Sequence, residues 1–362
     1  MSKVKKTSIV IAIIFIVSGF ALSFTAFAMM GFDYKKFETV KYEMEEHQPG
    51  DDFSKISVDS GVDVKFAVSE DGNTRVTYPV YKDASHDIRV EDGTLKVLVE
   101  RPDWHWTSIF VPHITFSSPK VTIYLPKDKY ESLTIVTNSG DVLIPENFTF
   151  SDMTVKTASG DVISRAQVTG TQSIKTSSGD IVDKNANVKT LSLNATSGDI
   201  RLEAANVTDT LAIKTSSGNM TLENVKGGAK LTVERTSGDL YIHDAEFADA
   251  TVESTSGEST LKNMNVSSLS VKASSGDIWI GTVEMTGDAA IKTNSGDIVL
   301  RKFDAANLTI QASSGDVNAE LRSNKNYTVH TNSGSSRYPD DGGNGTCKVT
   351  TSSGDIRIKV VD

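Results

Sequence analysis

The chain has 362 residues and a formal net charge of −10, which leaves room for more than one domain. That acidic balance, with no basic stripe interleaved with aromatics, argues against a nucleic-acid binder. The single cysteine, Cys347, excludes an intrachain disulfide, and a disulfide-free exported protein fits a bacterial surface better than a small secreted eukaryotic module.

Residues 1–31 carry a membrane signal. Lys3, Lys5 and Lys6 precede an uncharged run of 22 residues, 9–30, which as a helix extends about 33 Å, enough to cross a bilayer. Basic residues on the short N-terminal side predict that this end is cytoplasmic and everything after Gly31 is outside. A cleaved signal peptide is the rival reading, because Ala26-Phe27-Ala28 has the small-x-small form of a cleavage site. The anchor gives a single-pass membrane protein; cleavage gives a secreted one.

Residues 32–52 are charged and without clean period, which reads as a short stalk. Residues 53–130 alternate as strands do, at Ile56, Val58, Val62, Val64, Phe66 and Val68, again at Leu95, Val97 and Val99, and again at Val121, Ile123 and Leu125. Seven of the eight prolines lie at or before Pro145. A strand inside a ladder cannot spare its N–H, so the proline-bearing part reads as a β-rich N-terminal cap. Within it, residues 101–120 (RPDWHWTSIFVPHITFSSPK) gather Trp104, His105, Trp106, Phe110 and Phe116. They are candidates for ligand binding as an aromatic platform, or else a long loop folded over the first coil.

From residue 131 to 362 the chain repeats. Its Ser-Gly corner recurs at Gly140, Gly160, Gly179, Gly198, Gly218, Gly238, Gly257, Gly276, Gly296, Gly315, Gly334 and Gly354, always 19 or 20 residues apart. A fixed period of this length is the signature of a stacked repeat. Five residues before each glycine stands an aliphatic residue, and two after it an aliphatic in ten of twelve units, Ser259 and Ser336 being the others. Three before it the residue is small, except at Arg235. The inward set is odd before the glycine and even after it, so the side-chain register flips at the corner, where glycine tolerates the φ a bend needs. The gap-free alignment runs from seven before to four after, which places the 19-versus-20 variation in the other half, for example residues 203–210 or 224–230. These features predict an all-β protein: a β-solenoid of about 12 coils, right-handed by the general rule for parallel crossovers and about 53 Å long. Residues 347–359, after the loop SSRYPDDGGNGT, are expected to close the stack.

The residue after the glycine is Asp141, Asp161, Asp180, Asp199, Asp239, Asp277, Asp297, Asp316 or Asp355 in nine of the twelve units. Stacked carboxylates repel, and calcium takes oxygen ligands, so a cation ladder is one reading; Asp accepting turn N–H groups is the other, favoured by Asn219 and Ser335 at equivalent places. No metal or cofactor is expected. Nor is catalysis: the six histidines are scattered, and neither HExxH nor GxSxG occurs. A polysaccharide-active β-helix enzyme is the enzyme-class rival, but here the carboxylates recur in every coil instead of clustering.

A basic-flanked N-terminal span, a lead-in ending at Val121-Thr-Ile-Tyr-Leu-Pro126, and tandem xLxVxTxSGDIxL units together resemble the bacterial "putative adhesin" domain of unknown function, found in LiaG-like envelope proteins. The resemblance covers roughly residues 50–360. It implies a membrane-attached, outward-facing solenoid of the cell envelope, with cell-wall polymer, a host surface or envelope proteins as partners. An accessory role in envelope-stress sensing is the alternative.

Overall fold

The computed structural model describes residues 3–29, 31–32, 41–102, 118–126 and 129–361. Lys3–Met29 is one α-helix, and its stretch Ala12–Met29 has a mean hydropathy of 2.2 with none of it buried against protein. An exposed helix that is apolar on every side is long enough and apolar enough to cross a membrane. The other described residues are all-β, a single sheet of 30 strands wound into a β-solenoid of about 11 turns.

The repeat builds a parallel ladder in the predicted register. Val155 pairs with Ile135 on one side and Ile174 on the other, and Ile213 with Leu193 and Val233. In Thr171–Ser178 the buried positions are Gln172, Ile174 and Thr176; past the corner they are Ile181 and Asp183. The core is thus a column of stacked aliphatic side chains, with Leu191, Leu211 and Leu231 in one row and Ile200, Met220 and Leu240 in another, all buried. The extra residue of a 20-residue unit falls where the alignment places it: the register shifts between Val188 and Thr190 opposite residues 207–210.

The corner is a point of backbone contact. A Cβ built on Gly198 would lie 2.0 Å from the carbonyl oxygen of Gly179, and φ there is +146°. Both the close approach and the left-handed φ exclude any side chain. The flanking N–H groups reach forward, Gly179 to Ser197 O at 3.1 Å and Ile181 to Asp199 O at 2.9 Å.

A second corner sits six residues after the glycine and was not read from the sequence. Asn185, Ala204, Asn224, Asp244, Asn263, Thr282 and Lys302 all have φ between 49° and 59°. Four of the seven are Asn or Asp, the residues that tolerate this conformation best. After it the inward set becomes odd again, burying Val225, Val283 and Phe303.

Both ends depart from the expected order. Lys55–Ser60 pairs with Thr94–Val99 on one side and with Lys129–Thr137 on the other, so the expected boundary at residue 130 falls inside a continuous parallel ladder. The antiparallel strands Arg75–Tyr81 and His86–Glu91 flank the outermost coil. Tyr42–His47, read as stalk, is an edge strand on Arg75–Tyr81; both its faces are largely exposed, so it carries no apolar alternation to read. At the other end Thr346–Ser353 inserts between Asn307–Ser314 and Asn326–Ser333. The last coil in sequence therefore does not close the stack; the one before it does. Burial explains the order, since Cys347 and Val349 are buried while Tyr327 and Val329 are only half-buried. The loop that carries the chain back has to be glycine: a Cβ on Gly343 would lie 1.5 Å from Asn324 O.

Two substitutions test this geometry by chemical denaturation. Gly198→Ala should cost about 3 kcal/mol or more, whereas Gly228→Ala, with open space at its φ of +72°, should cost only about 1 kcal/mol. At the second corner Thr282→Asn should gain about 1 kcal/mol, because a β-branched residue is strained there.

Candidate functional site

Of the residues singled out from the sequence, Trp104, His105, Trp106, Phe110 and Phe116 lie outside the described residues. The aspartate column is fully described, and its carboxylates have a definite partner. Asp161 N–H donates to Asp141 Oδ1 at 2.9 Å, Asp180 N–H to Asp161 Oδ1 at 2.8 Å, and Asp199 N–H to Asp180 Oδ1 at 2.8 Å. The chain of bonds continues through Asn219, Asp239 and Glu258 and resumes from Asp277 through Asp297, Asp316 and Asp355. It begins at Asp63, which accepts from Asp141 N–H, and ends at Ser335, which donates to Asp355 and has no carboxylate to pass on. Each rung substitutes a side-chain oxygen for the backbone carbonyl that the corner turns away.

Magnitudes decide what the column needs. Neighbouring exposed carboxylates about 4.8 Å apart repel by about 1 kcal/mol in a water-like dielectric. A hydrogen bond to a charged acceptor contributes about 1.5–3 kcal/mol. The hydrogen bond of each rung outweighs the repulsion between its carboxylates, and among the described residues no three His, Cys, Asp or Glu side chains are grouped to share a cation.

The interior holds three polar groups that a solenoid core does not need. Ser164, Gln172 and Asp183 replace aliphatic residues in two adjacent coils and are all buried. Gln172 Nε2 donates to Asp183 Oδ2 at 2.7 Å, while Asp183 Oδ1, Gln172 Oε1 and Ser164 Oγ have no partner. Burial pushes the Asp183 carboxyl up to about 7, with Ser164 and Gln172 pulling the other way. A proton on it supplies a donor for these acceptors. In the second group Arg235, the one large residue at its position, donates to Ser259 Oγ at 2.7 Å and Gly257 O at 3.2 Å. Burial lowers this guanidinium to about 10. Ser259 is itself an exception to the aliphatic rule, so the two irregularities of the repeat are contact partners. In the third, Lys325, buried, lies 2.9 Å from Asp304 Oδ1 beside Cys347, whose thiol burial pushes up to about 12.

Outside the core, one stretch of the face following the glycine corner differs from the rest. Its outward column reads Thr221, Tyr241, Thr260, Trp279, Val299 and Asn318 in ladder order. The next column outward is Glu223, His243, Lys262, Gly281 and Arg301. Gly281 stands where other coils carry long side chains, and Trp279 fills the vacated space: a Cβ on Gly281 would meet the Trp279 ring at 2.3 Å. Lys262 Nζ lies 4.7 Å from the centroid of Trp279 and 5.8 Å from that of Tyr241, bridging the two as a cation–π contact. The Tyr241 ring stacks on His243 at 5.9 Å with planes 6° apart. The sequence signal was present, a tryptophan two residues before a glycine in a column of charged residues, but only the ladder register shows which side chains meet.

Two measurements test these assignments. Asp199→Ala should lose about 1–3 kcal/mol by stranding Asn219 N–H, Asp199→Asn should lose much less, and the melting temperature of the native protein should not respond to calcium or chelator. For Asp183, the folded protein holds a proton that the unfolded chain releases, so its contribution is complete below an ordinary value of 3.8 and lost as pH rises through about 7. Asp183→Asn should therefore melt above wild type at pH 8 and no higher than wild type near pH 4.

A family profile described as Toastrack DUF4097 matches residues 53–246 and 228–362. No curated protein matches the chain. Among solved structures, a Parabacteroides distasonis protein described as a "putative lipid binding protein" is 19% identical over 74% of this chain and 98% of its own, with a TM-score of 0.35. A second P. distasonis protein, a "putative adhesin", is 14% identical over 73% and 97%, with a TM-score of 0.37. A "putative cell adhesion protein" of Clostridium sporogenes is 8% identical over 89% and 100%, with a TM-score of 0.23. With its profile match running from the first parallel strand to the last residue, the chain belongs to the Toastrack DUF4097 family.

Proposed function

We infer that this protein is an adhesin-like component of the bacterial cell envelope, held in the membrane by its N-terminal helix and displaying the solenoid outside the cell. The observation that carries the reading is the pairing of an exposed apolar helix with a ladder whose corners are satisfied internally. A stack whose corner N–H groups are bonded within the chain is a rigid spacer that presents its outer columns to a surface. Lys184–Glu203, Arg201–Glu223 and Lys359–Glu320 ion pairs knit those columns across coils; such exposed pairs add little stability each but fix a patterned face. Cell-wall polymer or a host surface is the partner class that an extended rod of this kind suits.

In intact cells expressing the full chain, externally added protease should remove residues beyond the helix and leave the protein's N-terminal segment in the membrane fraction. Detergent-solubilised protein should sediment with purified wall polymer or with matrix-coated beads. Protection from protease, or retention by neither surface, contradicts the reading.

A further inference from the structure

We propose that the Tyr241–Trp279 face is a binding site for an uncharged, hydroxyl-rich pyranose chain. The inference rests on the surface-binding role above and names the ligand class and the residues for it.

Tyr241, Thr260 and Trp279 are successive members of one column, so the two rings stand two rungs apart, about 9.6 Å. That distance is close to the advance of two β-1,4-linked pyranoses along an extended chain. Thr260 between them is small, and Lys262 Nζ stands in the interval, 4.7 Å from the Trp279 centroid and 5.8 Å from that of Tyr241. Trp279 lies across Gly281 instead of standing off the sheet, which offers ring area to the apolar C–H face of a sugar, the geometry in which an aromatic quadrupole attracts.

On the side of the second corner runs a groove of about 520 Å³ lined by Asn224, Asp244, Glu246, Asn263, Thr282 and Glu284. It neighbours the platform through Asn263, whose Nδ2 lies 3.1 Å from Asp244 Oδ1 and 3.3 Å from His243 Nε2, and His243 stacks on Tyr241. Amides and carboxylates beside an aromatic ring are the donors and acceptors that read ring hydroxyls.

Asp244, Glu246 and Glu284 face the groove against Lys226, with Arg322 Nη1 3.6 Å from Glu284 Oε1, and Lys262 is occupied by the two rings. An acidic polymer would meet net repulsion there, which selects a neutral chain.

The test uses the full-length protein in nanodiscs, titrated calorimetrically with cellohexaose and, separately, with hexagalacturonate. Cellohexaose should bind saturably and more tightly than hexagalacturonate. Trp279→Ala should weaken it about tenfold. Gly281→Arg, which restores the long side chain of the neighbouring coils and displaces the ring, should do the same with an unchanged melting temperature; it keeps the test decisive if Trp279→Ala is poorly folded. Absence of saturable cellohexaose binding, unchanged affinity in Gly281→Arg, or tighter binding of hexagalacturonate overturns the proposal. Retention on wall polymer that is equal in wild type and Gly281→Arg would leave the surface-binding role standing and remove only this site.

Discussion

At every Ser-Gly corner two constraints act on the same few atoms, and the rest of the fold follows from them. The backbone of one coil lies so close to the next that a Cβ would collide with a carbonyl oxygen, at 2.0 Å for Gly198 on Gly179. The bend that brings it there also leaves one N–H facing backward with no carbonyl to meet. Glycine answers the first constraint and the aspartate after it answers the second, by lending a carboxylate oxygen to the same position one coil on. Because each aspartate serves the coil above it, the ladder is self-templating and has a direction. It starts where Asp63 offers the first carboxylate and stops where Ser335 offers none. The half-buried Tyr327 and Val329 mark that same end.

Departures from the repeat are informative because they come in touching groups. Arg235 and Ser259, and Gln172 with Asp183 and Ser164, are irregular at positions where most other coils agree, and Trp279 packs on Gly281, which replaces a long side chain. In a stack whose coils are neighbours every 19 or 20 residues, a change in one coil is felt by the next. The inward groups gain hydrogen bonds within themselves, Gln172 to Asp183 and Arg235 to Ser259, since a lone buried polar group would cost more. The outward one needs no such partner, and it has instead produced an aromatic surface that packing of the core does not require.

The architecture was legible in the residues: the period, the inward positions, the corner glycines and the place of the extra residue all follow from alternation and from what glycine alone can do. Less legible were features that depend on which coils become neighbours. Order in the sequence predicts Cys347 at the end of the stack, but burial of apolar surface draws its coil inward past Asn326–Ser333. The edge strand Tyr42–His47 carries charge on both faces and so hides its pairing with Arg75–Tyr81. The second corner was written in Asn185, Asn224, Asp244 and Asn263, but its spacing is masked by Ala204, Thr282 and Lys302 at equivalent places. The Tyr241–Trp279 face combines residues about 40 apart in sequence that only the parallel register of the sheet brings together.

The claim on which the account turns is that side-chain oxygens replace backbone carbonyls at the corners, and amide hydrogen exchange reads it residue by residue. The N–H groups of Asp161, Asp180, Asp199, Asn219, Asp297 and Asp316 should exchange as slowly as their ladder neighbours, although these residues are exposed. Glu258 supplies an internal control, because its carboxylate bonds Thr260 Oγ1 at 3.0 Å instead of the next rung, so Asp277 N–H should exchange faster than the others. Uniformly fast exchange along the column, or an Asp277 amide as protected as the rest, would contradict the account.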